Sequence, residues 1–232
     1  MEDSVYNDIL PGSYLTCVDS GIGAAGDKQL RFNTDGLKGK ITLPATWKDP
    51  NTGIVYTPVE FKSEITNYDI THIFFEPGSM INTFADDAFY VDRNYASNMK
   101  LKYVEIPNAN STVRARSFQN CISLFDDSKI TENELVEFFS NISTIYSTAF
   151  TAITPKNNTF ATYATSGGFK DRTIYLLNSP FVGSQAFSTN FIKEVKIGGI
   201  NNPADINQFY YPNRRTECAF YNCETMNANN TR

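Results

Sequence analysis

The stretch that decides the fold runs Leu101-Lys-Tyr-Val-Glu-Ile-Pro107 and resumes, after a polar gap, as Val113-Arg-Ala-Arg-Ser-Phe-Gln-Asn-Cys-Ile-Ser-Leu124. Apolar and polar residues alternate before Pro107, which indicates a short strand with one buried side. Proline then ends the strand because it has no N–H to donate to the ladder of a sheet. The second part is a short apolar run that closes on phenylalanine, cysteine and leucine. The stretch therefore predicts one structural unit made of a strand, a stop and a packed segment.

Parts of this unit recur along the chain. An Ala-Phe or Ser-Phe pair ends at Phe89, Phe118, Phe150, Phe187 and Phe220, with spacings of 29, 32, 37 and 33 residues. Strand-like segments precede several of these pairs, and Asn-Cys follows closely after two of them. Two-residue pairs recur by chance among common residues, but an ordered series of strand, stop, Ala/Ser-Phe and Asn-Cys does not. The series therefore predicts a repeat architecture.

The spacing of the repeat is uneven, which indicates insertions between its units. Thr131 and Glu134 have the spacing of a capping box, and the apolar residues after them fall on one helical face, so residues 131–142 are predicted to contain a helix. Residues 157–168 and 201–215 are predicted to be polar loops. The apolar face of the helix consists of Leu135, Phe138, Phe139 and Ile142.

The unit at 101–124 resembles the BspA-like leucine-rich repeat, in which L-x-x-I-x-I-P is followed by V-x-x-I-x-x-x-A-F-x-x-C-x-x-L. The resemblance extends over about residues 39–226 but is close only in this unit. The chain departs from the pattern at Ser117, where the family has alanine, and it lacks the cysteine after three of the five phenylalanines. The resemblance implies a leucine-rich-repeat solenoid. It also implies attachment to host proteins and cells, with which BspA-like repeats are associated.

The predicted fold is a β-rich leucine-rich-repeat solenoid, an α/β-type superhelix of about five irregular coils with one short helical insertion. Residues 1–38 are predicted to be an irregular lead-in with one short strand at 14–18, residues 39–226 the solenoid and residues 227–232 a tail. The apolar set of one coil is too small to be buried alone, so stacked coils share one core. The residues predicted to form this repeat core are Phe89, Leu101, Val104, Ile106, Phe118, Cys121, Leu124, Phe150, Phe187, Phe220 and Cys223.

Composition argues against several classes of protein. The formal net charge is -5 without a basic patch, which argues against nucleic acid as a partner. No apolar run reaches the length of a membrane span, and the acidic start Met1-Glu-Asp-Ser-Val5 lacks the order of a signal peptide. The cysteines Cys17, Cys121, Cys218 and Cys223 are too few and too scattered for a disulfide framework, so buried thiols are expected.

No catalytic, metal or cofactor site is predicted. Residues 21–26 match G-x-G-x-x-G, but no amphipathic helix follows them, so a flexible turn is the better interpretation. The one histidine, His72, has no nucleophile motif with it and is expected to be an exposed strand residue. The cysteines and adjacent carboxylates lack the spacing of zinc or calcium ligands. A non-enzymatic protein is expected, although a pair of glycosidase carboxylates that meets only in space would leave no motif.

What remains for function is a surface. Side chains between the inward positions of the strands would line one face of the solenoid, and an aromatic-rich face of mixed charge suits the binding of a protein or glycan. The alternative is that Phe74 and Tyr103 only stack as a cross-strand ladder. The residues of this predicted face are His72, Phe74, Tyr103, Glu105, Tyr175, Glu194 and Lys196.

Two roles fit these features. The first is a virion component, such as a bacteriophage tail, fibre or head protein, that mediates assembly or host-surface attachment; the missing signal peptide, the thiols and the Asn-, Thr- and aromatic-rich composition favour it. The second, implied by the resemblance, is a bacterial or protozoan BspA-like adhesin on the cell surface. Either role predicts protein partners, namely other subunits of an assembly or a host surface protein or glycan. Because the tail is a poor polar cap for a solenoid, we expect either another chain or residues outside this sequence to cover the last coil.

Overall fold

The computed structural model of the chain is a β-solenoid of about three turns with one α-helix. It describes residues 9–21, 24–33, 36–63, 69–92, 95–151, 172–177, 181–188, 191–192, 194–197, 219 and 224–225. The strands are β1 (Leu15–Asp19), β2 (Lys28–Phe32), β3 (Gly39–Leu43), β4 (Trp47–Lys48), β5 (Val55–Tyr56), β6 (Glu60–Lys62), β7 (Ile70–Phe75), β8 (Thr83–Phe84), β9 (Tyr103–Val104), β10 (Ser111–Val113), β11 (Ile142–Ile145), β12 (Thr173–Leu176), β13 (Phe181–Val182), β14 (Phe191–Ile192), β15 (Glu194–Ile197) and β16 (Glu224–Thr225), and the helix is α1 (Glu132–Ser140).

Two parallel ladders form the walls of the solenoid. The first joins β3, β7 and β9, and the second joins β2, β6, β8, β10, β11 and β13, with β1 antiparallel at its edge. Inward side chains fall in register from coil to coil, with Ile41, Ile73 and Val104 in the first ladder and Phe61 and Phe84 in the second. All five are buried. Stacking therefore builds one continuous core, as the repeat predicts.

The Ala/Ser-Phe pairs form a further corner of the coils. The backbone N–H of each described phenylalanine donates to the carbonyl of the residue before the next phenylalanine, over 2.6–2.8 Å. The rings of Phe89, Phe118, Phe150 and Phe187 are buried and stack with centroids 4.9–5.2 Å apart. The aromatic column that the repeat predicts is therefore present over these four residues. Phe220 and Cys223, also predicted for the core, lie outside the described residues.

Polar residues of the 101–124 unit fasten neighbouring coils. Cys121 is buried, and its thiol donates to the carbonyl oxygen of Phe89 at 3.0 Å, while the amide of Asn120 donates to the carbonyl of Val91 at 2.7 Å. Ser117 is buried with its hydroxyl 2.7 Å from a backbone carbonyl oxygen, which explains how serine can replace alanine there. Burial raises the pKa of the Cys121 thiol, so it stays protonated. The other predicted core residues of this unit are also buried: Leu101, Val104, Ile106 and Leu124.

The corner before each phenylalanine has a backbone conformation that the sequence does not reveal. The residue two positions before each phenylalanine of the column lies in the left-handed region, with φ between 56° and 61°. Non-glycine residues rarely adopt this conformation, and β-branched residues adopt it least. Because the conformation recurs in coil after coil, it belongs to the geometry of the repeat. The residues concerned are Asp87, Arg116, Thr148 and Gln185.

Helix α1 interrupts the first ladder. The Thr131 hydroxyl accepts from the Glu134 N–H at 3.3 Å and the Glu134 carboxylate accepts from the Thr131 N–H at 2.6 Å, which confirms the predicted capping box. The helix stands directly before β11, where neighbouring coils have a strand of the first ladder, and β12 and β15 consequently form a separate sheet. The solenoid and its helical insertion are confirmed in this coarser form. The structure has about three turns and not the expected five, because the first ladder ends at β9 and α1 stands where its next parallel strand would be.

The first part of the chain is more regular than the predicted lead-in. β1 and β2 form an antiparallel hairpin, and β2 extends the second ladder, with Gln29 paired to Glu60. Leu30 and Phe32 are buried, so the hairpin covers the first coil of the core. Gly21 and residues 24–26 of the glycine-rich segment lie in the turn of this hairpin. A strand, not a helix, follows them, as the turn interpretation requires.

Gly183 lies where two coils approach closely, and we expect Gly183→Ala to lower the free energy of unfolding by about 1–3 kcal/mol. A β-carbon there would lie 2.6 Å from the backbone nitrogen of Ser147 and 2.9 Å from the carbonyl carbon of Tyr146. The Gly183 N–H also donates to the carbonyl of Ile145 at 2.7 Å, so relief of the clash would strain this ladder. Urea denaturation measures the loss. Gly21→Ala is the control, since a β-carbon there meets no atom within 4 Å, and equal losses in the two variants would contradict the prediction.

Candidate functional site

The predicted binding face is not an open surface. His72 and Tyr103 are paired neighbours in β7 and β9 and are only 9% and 8% exposed. The Phe74 ring packs against both, with centroid distances of 6.1 and 5.9 Å. The expectation of an exposed histidine is therefore wrong, because Asp127 and α1 cover these strands. The His72 and Phe74 rings are stacked, and both are tilted against the Tyr103 ring, so the three pack as one aromatic cluster across β7 and β9.

The surroundings of His72 favour the neutral imidazole. Burial, followed by the nearby Lys40 cation, lowers its pKa, while Asp127 opposes the shift. Its Nε2 lies 3.9 Å from Asp127 Oδ2, and its Nδ1 lies 3.0 Å from Thr71 Oγ1. The Lys102 ammonium is 3.7 Å from the same Asp127 oxygen. The Asp127 carboxylate is thus placed between a lysine and a neutral ring, and the histidine acts as a packed strand residue.

A small cleft of about 140 Å³ remains between β9 and α1. Glu105, Glu134 and Glu137 line it, and burial raises the pKa of Glu105 although the N–H of Phe75 donates to that carboxylate at 2.7 Å. Glu134 belongs to the capping box. The described residues contain no group of three or more histidine, cysteine or acidic side chains placed to hold a metal ion. The carboxylates of Glu105 and Glu134 thus accept hydrogen bonds from backbone N–H groups, and this structural role explains their positions.

The other residues of the predicted face lie on the far side of α1. Tyr175 in β12 is buried, and its hydroxyl donates to the Glu132 carboxylate of the helix. Lys196 in β15 is exposed, with its ammonium 5.3 Å from the centroid of the Tyr175 ring. Glu194 belongs to β15, but its side chain lies outside the described part of the chain. The helix therefore divides the predicted face into two separate patches.

A groove of about 420 Å³ lies elsewhere, on the outer side of the second ladder. Glu60, Thr83 and Thr112 are consecutive partners in that ladder, and the residue after each points into the core. Because side chains alternate along a strand, these three face outward into the groove. The described residues that line it are Ser20, Asp27, Val59, Glu60, Asn82, Thr83, Thr112, Arg114 and Tyr146.

The hairpin turn closes one side of the groove. Glu60 is buried, and its carboxylate accepts a hydrogen bond of 2.5 Å from the Ser20 hydroxyl. The carboxylate of Asp27 accepts from the N–H of Ala24 at 2.7 Å, and the Ser20 N–H donates to the Asp27 carbonyl at 2.9 Å. In the sequence, the glycine-rich residues 21–26 separate Ser20 from Asp27. The turn thus brings Ser20 and Asp27 to the groove.

Arg114 and Tyr146 form another side of the groove. They follow β10 and β11 directly, and the guanidinium carbon of Arg114 lies 5.1 Å from the centroid of the Tyr146 ring. Nη2 of Arg114 donates to Asp86 Oδ2 at 3.1 Å, and its buried Nε has no hydrogen-bond partner among the described residues. Tyr146 remains 39% exposed. The ion pair and the cation–π contact hold the guanidinium in place while the ring stays open to the groove.

Comparison of the chain with family models, with curated proteins and with solved structures finds no match. The BspA-like resemblance therefore rests on the motifs of the sequence. Among the described residues, no helix combines the length and the apolar character needed to cross a membrane. The function has to be argued from the solenoid and its groove.

Reasoning from the sequence missed the groove because its lining comes from separate segments that only the ladder brings together. One signal was available. Glu60, Thr83 and Thr112 each directly precede a buried residue of a strand, so all occupy the same outward position of successive coils. Recognising them as a set requires the register between coils, and the uneven repeat spacing conceals that register.

Proposed function

We propose that this chain is a non-enzymatic recognition module that holds its partner at the groove of the second ladder. The observation that carries this proposal is that the groove is built on rungs of one parallel ladder whose opposite face is the stacked aromatic core. A site on such a support is formed before its ligand arrives, so little conformational entropy is lost on binding. The role that we favour is a virion component, in a bacteriophage tail, fibre or head, that mediates assembly or attachment to the host surface.

A BspA-like surface adhesin is the second candidate. The agreement of residues 101–124 with the repeat pattern of that family favours it. In this role the same groove, or the patch around Lys196, would contact a host protein or glycan. Both candidates place the chain among protein partners, as a subunit of an assembly or as a ligand of a host surface.

Fractionation of the native source tests the location of the protein. The virion role predicts that the protein co-sediments with particles, and the adhesin role predicts that it is found at the cell surface. Mass spectrometry of both fractions distinguishes them. Absence of the protein from both fractions would contradict the proposed function.

The non-enzymatic part of the proposal needs its own test, because Asp27 and Glu60 line one groove and glycosidases use a pair of carboxylates. We expect the purified chain to release no new reducing ends from oligosaccharides over prolonged incubation. Release that is abolished by Glu60→Gln, a substitution of nearly equal size, would show a glycosidase instead. Thermal denaturation of the variant checks that its fold is kept.

A further inference from the structure

We infer that the groove binds a neutral saccharide, an assignment that rests on the proposed recognition function and specifies its ligand. Of the described residues that line it, all but Val59 carry a polar side-chain group. The lining combines carboxylates, hydroxyls, an amide and a guanidinium. A saccharide presents vicinal hydroxyls that both donate and accept, so it can use such a mixed set of partners.

Several of these polar groups have no partner within the described part of the chain. The hydroxyls of Thr112 and Tyr146 make no hydrogen bond there, nor does the amide nitrogen of Asn82, whose oxygen accepts from the Thr83 hydroxyl at 3.0 Å. Arg114 uses only Nη2, for Asp86, which leaves Nη1 available. The groove thus offers acceptors and donors that protein contacts do not use.

The charges of the groove argue against an anionic ligand. Among the described lining residues, Asp27 and Glu60 bring two carboxylates, and the one guanidinium, that of Arg114, is already paired with Asp86. Phosphate, nucleic acid and sulfated glycans would therefore meet net negative charge. The described residues also offer no metal-binding cluster. A ligand without net charge fits this balance.

The position of the groove argues against a peptide that adds a strand. Such recognition needs the unpaired backbone of a sheet edge. Here β8 and β10 lie inside the ladder, with paired strands on both sides. Binding must use side chains, and the exposed ring of Tyr146 adds a surface on which the C–H face of a sugar ring can pack.

The test is calorimetric titration of the full chain with neutral oligosaccharides of glucose, galactose and N-acetylglucosamine. At least one is expected to bind, and Thr112→Val is expected to weaken it about three- to tenfold, the effect of one lost hydrogen bond. Thr144→Val is the matched control, since Thr144 is the next rung of the ladder and does not line the groove. Tyr146→Phe keeps the ring and removes the hydroxyl, whereas Tyr146→Ala removes both and is expected to weaken binding at least tenfold.

Three outcomes would overturn the saccharide assignment. They are absence of binding to every oligosaccharide at millimolar concentration, equal effects of the two threonine variants, and tighter binding of a heparin fragment than of any neutral oligosaccharide. Two results distinguish failure of the saccharide assignment from failure of the proposed function. Association with host cells that is undiminished both in Tyr146→Ala and in excess oligosaccharide overturns the saccharide assignment alone. Saccharide binding at the groove in a protein found on neither particles nor cells overturns the recognition role alone.

Discussion

Phe118→Ala is expected to lower the free energy of unfolding by about 3–5 kcal/mol, because the cavity that it leaves cannot collapse. The ring is fully buried and is stacked on both sides, at 4.9 Å from Phe89 and 5.1 Å from Phe150. Phe138 of α1 closes the site edge-on, with centroids 6.2 Å apart. Backbone hydrogen bonds between coils fix the spacing of the column, so neighbouring rings cannot move together to fill the space. Urea denaturation followed by circular dichroism measures the loss.

Phe181→Ala is the matched control for this prediction. Phe181 lies in β13 of the second ladder and is 57% exposed, so its removal leaves no closed cavity and is expected to cost less than about 1 kcal/mol. Phe118→Leu separates two contributions, since it keeps most of the buried volume and removes the stacking. We expect its loss in the free energy of unfolding to lie between those of Phe118→Ala and Phe181→Ala. A loss at Phe118 no greater than the loss at Phe181 would contradict the stacked core.

The sequence predicts correctly those parts of the fold that depend on a recurring residue type or on residues close together in the chain. A large apolar ring that recurs after a small residue has one good location, the shared core, and Phe89, Phe118, Phe150 and Phe187 are found there. The α1 helix is likewise predicted by local residues, since Thr131 and Glu134 form the capping box within its first turn. The repeat spacing of the phenylalanines is therefore sufficient to predict the aromatic column, and the capping residues are sufficient to predict the helix.

The candidate site depends on relations that no local pattern contains. His72 was expected to be exposed because alternation places it outward from Ile73, and this orientation is compatible with the structure. Its ring is buried against Phe74, Tyr103 and Asp127, and Asp127 lies more than fifty residues away along the chain. The groove needs register between coils together with the turn that carries Ser20 and Asp27. Alternation gives the side of a strand on which a residue lies, but not what packs against that side.

The contacts of Arg172 are likewise not visible in any local sequence pattern. Arg172→Lys is expected to lower the free energy of unfolding by about 2–3 kcal/mol. Its guanidinium donates to the carbonyl oxygens of Ile130 at 2.9 Å and Asp127 at 2.6 Å, and a third carbonyl, that of Phe125, lies 3.4 Å away. This fork ties the segment before α1 to the start of β12. Lysine keeps the charge, but its single ammonium cannot reproduce the planar geometry that reaches several carbonyls at once.

Arg116→Lys provides the control, because Arg116 makes an equally bidentate pair with Asp87, at 2.7 Å for both contacts, but is largely exposed. Exposed ion pairs contribute little, so we expect a loss below about 1 kcal/mol there. The two substitutions are also expected to destabilise different parts of the structure. Since Ile130 directly precedes the cap residue Thr131, loss of the Arg172 fork is expected to speed amide hydrogen exchange throughout α1, whereas Arg116→Lys should leave that helix unchanged. Equal exchange of α1 in both variants would show that the capping box, not Arg172, holds the helix where it divides the first ladder.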